Sequence, residues 1–173
     1  ITHASFGGLG IALWAGVNPI GGAMVFAILS AMGIEWASDR GKIREDSAIG
    51  IMWGVGMAIG ALFMSLTPGY TSGDLASYMF GSIVTVTSAD VVMLGLFTLL
   101  CVVGCALWWR QVMYLAFDRD FAASQGIATR LSSYVLMAIV AITIVLAIRI
   151  MGIVLLLSLF TMPVVAANTL TKS

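Results

Sequence analysis

Apolar residues in this chain neither alternate with polar ones nor recur on a single helical face; they come in long runs divided by short polar stretches. About six such runs can be marked, at roughly 4–16, 19–37, 47–66, 91–113, 131–148 and 150–170, and only the last two abut. No segment sustains the period-two polarity of a membrane strand. A backbone N–H or C=O left without a partner in hydrocarbon costs several kcal/mol, so runs of this length must satisfy their own peptide groups as helices, with about 20 residues per crossing. The expected fold is all-α, a polytopic transmembrane helical bundle forming a single domain over residues 1–173.

Three places interrupt the pattern. Gly16-Val-Asn-Pro19 reads as a tight turn, with proline suited to the first turn of the next helix. Asp74-Leu-Ala-Ser-Tyr-Met-Phe-Gly81 carries a capping residue and helical apolar spacing but is too short to span, so it is expected at, or dipping into, one membrane face. The stretch from Leu131 to Leu170 would be roughly 60 Å long as one helix, about twice the hydrocarbon thickness. Its one charge is Arg149, followed by Gly152 and later Pro163, which places a reversal at 149–152 and a short, broken or re-entrant helix after it. Irregular backbone at membrane depth survives where it is buried in protein or lines a wet path, which makes Arg149, Gly152 and Pro163 candidates for a pathway wall.

Composition agrees: 61% of the 173 residues are hydrophobic and 9% are charged, with a mean hydropathy of +1.08, against about a quarter charged in a soluble domain. The net charge is zero and the eight Lys and Arg are scattered, so no basic stripe exists to hold nucleic acid. Their placement sets an orientation: Arg40, Lys42 and Arg44 share one loop, Arg110, Arg119 and Arg130 flank another, and 67–90 has acids but no Lys or Arg. By the positive-inside rule, loops 38–46 and 114–130 are expected in the cytoplasm and 67–90 outside. The start at Ile1, without a basic n-region, and the end at Ser173 read as the interior of a longer protein, so the domain is expected to be truncated at both ends.

Chemistry-bearing residues are sparse. Cys101 and Cys105 lie one turn apart in an apolar run with no second pair to complete a metal cage, and read as packing residues. There is no phosphate-binding Gly-x-x-x-x-Gly-Lys-Ser/Thr, no His-Glu-x-x-His and no nucleophilic triad, so no catalytic residue is assigned. Gly50, Gly54, Gly56 and Gly60 form overlapping small-xxx-small patterns, which serve packing within a chain or between chains. His3 admits two readings, a hydrogen-bonded packing residue or a metal ligand. Arg149 repels cations and reads as structural or gating, near Asp74 or Asp90. Those two acids can attract cations or cap helices.

Between two helix ends, Tyr114-Leu-Ala-Phe117-Asp118-Arg-Asp-Phe121-Ala122-Ala-Ser-Gln-Gly126-Ile-Ala-Thr-Arg130 reads as a short amphipathic helix. Asp118 can cap it, Phe121 and Ala122 can share a side, and Gly126 can end it. This loop resembles the segment of ABC importer permeases that docks into a groove on the cytoplasmic ATPase. The resemblance extends to one family, the permeases for zinc, manganese or iron. Its motifs are matched by Ile1-Thr-His3-Ala-Ser5, Arg44-Glu-Asp-Ser-Ala-Ile-Gly50, Asp74-Leu-Ala-Ser-Tyr-Met-Phe-Gly81-Ser-Ile83, Ala147-Ile-Arg-Ile-Met-Gly152-Ile-Val-Leu-Leu and Met162-Pro163-Val-Val-Ala-Ala167, in order and over nearly the whole chain.

The resemblance implies a type II ABC importer-like permease in a bacterial plasma membrane, multi-pass and surrounded by lipid. Its implied companions are an ABC ATPase, an extracytoplasmic metal-binding protein and a second permease copy. No covalently bound cofactor is implied, and the metal ion is cargo. Phe117, Asp118, Phe121, Ala122 and Gly126 become the ATPase-coupling residues and His3 a metal ligand. In this family an Asp four residues before the His completes a ligand pair, and that position lies before Ile1. A siderophore or vitamin B12-type permease is the nearer alternative. An ion-coupled secondary transporter would be expected to carry acids or His in mid-span, and 19–37 and 91–113 hold none except Glu35 near one end.

Overall fold

Each polar interruption in the sequence coincides with a helix boundary in the computed structural model, which describes residues 1–39, 43–69, 80–81 and 86–171. Its helices are α1 (Ser5–Trp14), α2 (Pro19–Asp39), α3 (Glu45–Ser65), α4 (Ser88–Leu107), α5 (Trp109–Phe117), α6 (Arg119–Ser124) and α7 (Thr129–Thr171). No strand occurs among the described residues. Four helices, within Pro19–Ser38, Asp46–Ser65, Ser88–Leu107 and Thr129–Thr171, are long and apolar enough to cross a membrane, and α1 is apolar but shorter. The chain is therefore an all-α, multi-pass membrane bundle, with fewer full-length crossings than the six apolar runs.

Local chemistry accounts for the ends. The turn after α1 closes through bonds from Gly16 N to Leu13 O and from Val17 N to Ala12 O. Asn18 then caps α2, its side-chain oxygen accepting from the N–H groups of Ile20 at 3.0 Å and Gly21 at 3.2 Å, while Pro19 fills the first helical position. At α4, Thr87 and Asp90 form a reciprocal capping box.

Two expectations need correction. The run 91–113 is not one helix: α4 stops at Leu107, Trp108 leaves helical geometry (φ −106, ψ 20), and α5 starts anew. The run after residue 149 is neither short nor opened by a multi-residue turn. One residue, Gly152 (φ 74, ψ 168), breaks α7, and the chain continues helically through Pro163 to Thr171. That backbone region is essentially closed to any residue with a Cβ. Ile148 before the break packs with Ile153 and Leu156 beyond it.

The core is built around the shortest apolar helix. In α1, Ser5 to Gly10 and Ala12 are buried, and Phe6 and Leu9 pack with Ala23, Ala27 and Ala31 of α2, Met64 of α3, and Ala141 and Val145 of α7. Lipid tails are as apolar as leucine, so close van der Waals contact must hold the helices together, and small residues permit it. A Cβ on Gly56 would lie 2.5 Å from the Ala4 Cα, and one on Gly10 2.6 Å from the Gly60 carbonyl oxygen. Gly56 and Gly60 thus serve packing within the chain, whereas Gly50 and Gly54 meet nothing within 4 Å.

The contrast yields a prediction for the full-length permease in detergent. Gly56→Leu should cost at least ~1–3 kcal/mol by overpacking and sharply reduce the monodisperse fraction on size exclusion. Gly54→Ala should leave both the yield and the melting temperature unchanged. Equal behaviour of the two variants would refute the assigned α1–α3 contact.

Candidate functional site

At the bundle end where α2 finishes and α7 begins, the chain leaves α4 at Trp108 and runs through α5 and α6. Asp118, extended at φ −156 and ψ 115, caps α6: its Oδ1 accepts from the N–H of Asp120 at 2.8 Å and of Phe121 at 3.1 Å. At the other end, Gly126 (φ 78) donates to the Ala123 carbonyl at 3.0 Å and Ile127 to the Ala122 carbonyl at 3.2 Å. This paired closure needs a left-handed residue, which glycine supplies without a Cβ clash. Between the caps, Ala122 is fully buried. Phe121 is half exposed and meets the Tyr114 ring edge-on at 5.3 Å, and Phe117 is 82% exposed. The sequence-derived residues Phe117, Asp118, Phe121, Ala122 and Gly126 therefore come together as a capped helix with one buried anchor and two outward aromatic rings.

One contact here was not legible in the sequence. Arg119, the first residue of α6, donates through Nη2 to Glu35 Oε1 at 2.6 Å and to Ser133 Oγ at 3.0 Å. Glu35 belongs to α2 and Ser133 to α7, and both are buried, Glu35 to 2% exposure. The partners lie 84 and 14 residues from Arg119. The available signal was an acid inside an apolar run, which needs a compensating cation.

His3 lies just ahead of α1, partly buried, with its ring 5.1 Å from that of Trp53 at an interplanar angle of 43°. Trp53 is the ninth of the 21 residues of α3, which puts the imidazole near the mid-height of that membrane-crossing helix. Among the described residues, no group of three or more His, Cys, Asp or Glu side chains is placed to hold a metal ion. His3 therefore stands as a partly buried imidazole beside the single Trp53 ring. Cys101 and Cys105 are free thiols beside an apolar cleft between α4, α5 and α7.

At the opposite end of the bundle, Arg149 Nη1 pairs with Asp90 Oδ1 at 2.5 Å. Asp90 also accepts from the Thr87 hydroxyl at 2.7 Å and the Thr87 N–H at 3.0 Å, so one buried carboxylate both caps α4 and neutralises Arg149. Gly81 (φ 73) approaches the α7 break so closely that a Cβ would lie 2.5 Å from the Met151 carbonyl carbon and 2.6 Å from the Gly152 nitrogen. Arg149 and Gly152 thus form one cluster, whereas Pro163 lies more than two turns beyond, on an exposed stretch of α7. Asp74 and most of the 74–81 segment lie outside the described residues, as do Arg40 and Lys42.

A helical bundle with several crossings, a capped surface helix at one end and a broken helix at the other defines a multi-pass membrane protein. The ABC 3 transport family profile matches residues 1–173, and the chain belongs to that family. It is 38% identical over 173 residues to a probable metal transport system membrane protein of Chlamydia pneumoniae, covering 96% of this chain and 59% of that one. Over 172 residues it is 30% identical to the manganese transport system membrane protein MntC of Listeria innocua, covering 99% of this chain and 61% of the relative. Its fold is similar to that in the structure of PsaBC from Streptococcus pneumoniae in complex with Fab, with a TM-score of 0.77 at 24% identity, over 99% of this chain and 61% of that one. The chain spans about three-fifths of the length of these relatives.

The cap geometry makes α6 sensitive to one side chain. Asp118→Ala removes the acceptor for two N–H groups and should cost about 0.5–2 kcal/mol of local helix stability. Hydrogen–deuterium exchange of 119–124 in the solubilised permease should accelerate accordingly, while Asp118→Asn, which keeps an acceptor, should change it little. Unaltered protection in the alanine variant would show that the cap is dispensable.

Proposed function

We propose that the full-length protein is the membrane-spanning permease subunit of an ATP-driven importer of divalent transition metal ions, with manganese, zinc and iron as the candidate cargo class. The observation that carries this reading is the capped helix α6, tied to two membrane-crossing helices while two aromatic rings face outward. That is the form a knob needs in order to seat in a groove on a motor protein. The proposed orientation places 114–130 and 38–46 in the cytoplasm and 67–90 outside, so that α6 meets an ABC ATPase. Family membership and the names of the Chlamydia and Listeria relatives support metal as cargo, and the Listeria name favours manganese.

In this mechanism two permease copies line a pathway, and an extracytoplasmic binding protein delivers the ion. His3 offers a neutral imidazole nitrogen at mid-height, a donor suited to zinc, manganese and iron alike. Further ligands come from elsewhere in the full-length protein. Closure of two ATPase subunits displaces α6, and the packed helices respond as rigid bodies, exchanging outward for inward access. The broken α7 and its Arg149–Asp90 pair sit at the proposed outer end, where a one-residue hinge can reshape the mouth.

The test is reconstitution of the permease with its ATPase and binding protein in liposomes. Uptake and ATPase rates should respond to one or more of the three metals, and His3→Ala should lower uptake about tenfold or more. Gly126→Val, forced into a left-handed conformation that a β-branched side chain resists, should leave ATP hydrolysis running while uptake falls. Gly126→Asn, which tolerates that conformation better, should be milder. Uptake without any nucleotide-hydrolysing partner would refute the assignment, and normal uptake in Gly126→Val would refute the docking role.

A further inference from the structure

We infer that Arg119, Glu35 and Ser133 form a latch that transmits motion of α6 into α2 and α7; this rests on the reading of α6 as the ATPase-docking helix. Three observations lead there. First, α6 has little apolar attachment of its own: of its six residues only Ala122 is buried. Second, the guanidinium spans three elements, reaching Glu35 of α2 and Ser133 of α7 through the same nitrogen. Third, the contact is one-sided in solvation, with Glu35 at 2% exposure and the Arg119 side chain at 44%.

The asymmetry gives the contact its mechanical character. A buried carboxylate that loses its cation becomes an uncompensated charge in a poorly polarisable surrounding, so separation of the pair is strongly resisted. Arg119 can shed its exposed contacts more readily than Glu35 can do without Arg119. When α6 is displaced, α2 is therefore drawn with it rather than released. The α2 helix packs face to face on α1, where Gly22 and Gly8 leave no room for a Cβ on either, and His3 lies directly ahead of α1. Movement at the surface helix thus reaches the mid-height imidazole through one ion pair and one rigid helix contact. Arg119 and Glu35 act as positioning residues, since neither is placed to touch the cargo.

The test uses the full-length permease with its ATPase and binding protein in liposomes, reading ATPase retention on co-purification, ATP turnover and metal taken up per ATP. Arg119→Gln and Glu35→Gln should each retain the ATPase and its turnover, while uptake per ATP falls about tenfold, within the usual range of coupling between sites. The double variant Glu35→Gln/Arg119→Gln removes both charges, keeps the hydrogen-bonding capacity, and folds even if a single variant does not. Its uptake per ATP should fall to about that of the worse single variant and not by the product of the two single losses, the non-additivity expected of two groups acting as one unit. Unchanged uptake per ATP in the double variant would overturn the latch. So would loss of the ATPase on co-purification, because the contact would then merely shape the docking surface. Failure of the parent reading has a separate signature, an unmodified permease that neither retains nor stimulates an ATPase, and that result would overturn both.

Discussion

A peptide group in hydrocarbon has no water to turn to, and this constraint decides where the chain is regular and where it can bend. Every long apolar run closes its own ladder of hydrogen bonds, and several departures come with replacement partners. Asn18 serves the start of α2, Thr87 and Asp90 the start of α4, and Asp118 and Gly126 the two ends of α6. No side chain caps the starts of α1, α3 and α5, and at Gly152 α7 changes direction at one residue. Its surroundings are protein rather than lipid, with Gly81 against its nitrogen and Ile148, Ile153 and Leu156 packed about it. The rest of the chain thus encloses this one-residue break, whereas the break at Trp108 is exposed.

Helix association follows from the same environment. With no hydrophobic gain from leaving lipid, backbones must come close enough for dispersion to accumulate. Glycines where α1 meets α2 and α3 allow this, and they make a ten-residue helix the most enclosed element of the bundle. By contrast, α4 presents most of its side chains outward. A tightly packed cluster of α1, α2 and α3 thus stands beside a lightly attached α4–α5–α6 arm, and on the proposed reading that is a suitable division of labour. One part can hold a site while the other conveys force to it.

The helices, their approximate limits, the cap at Asp118 and the break near Gly152 could be read from the sequence because each depends on neighbours within a turn or two. The pairing of Arg149 with Asp90 could be narrowed to two acids, since a cation in an apolar run requires one. What could not be read was set by distance along the chain. Nothing near Glu35 announces Arg119, and nothing near His3 announces Trp53. Trp108 escaped because its neighbours are as apolar as a continuing helix would need, so periodicity alone carries no stop signal there. Pro163, expected within a short or broken helix, removes a single N–H from a helix that continues on both sides.

The Arg119–Glu35 and Arg149–Asp90 pairs stand at opposite ends of the bundle and share a design. Each sets a buried carboxylate of a membrane-crossing helix against an arginine on a second element, near a residue where helical geometry fails: Asp118 at one end and Gly152 at the other. A charge pair in such surroundings is poor as a source of net stability, since desolvation cancels much of the attraction. Its value lies in specificity, as only one arrangement leaves neither charge alone. Where the backbone can bend, a contact of that kind limits the bend to a few allowed states.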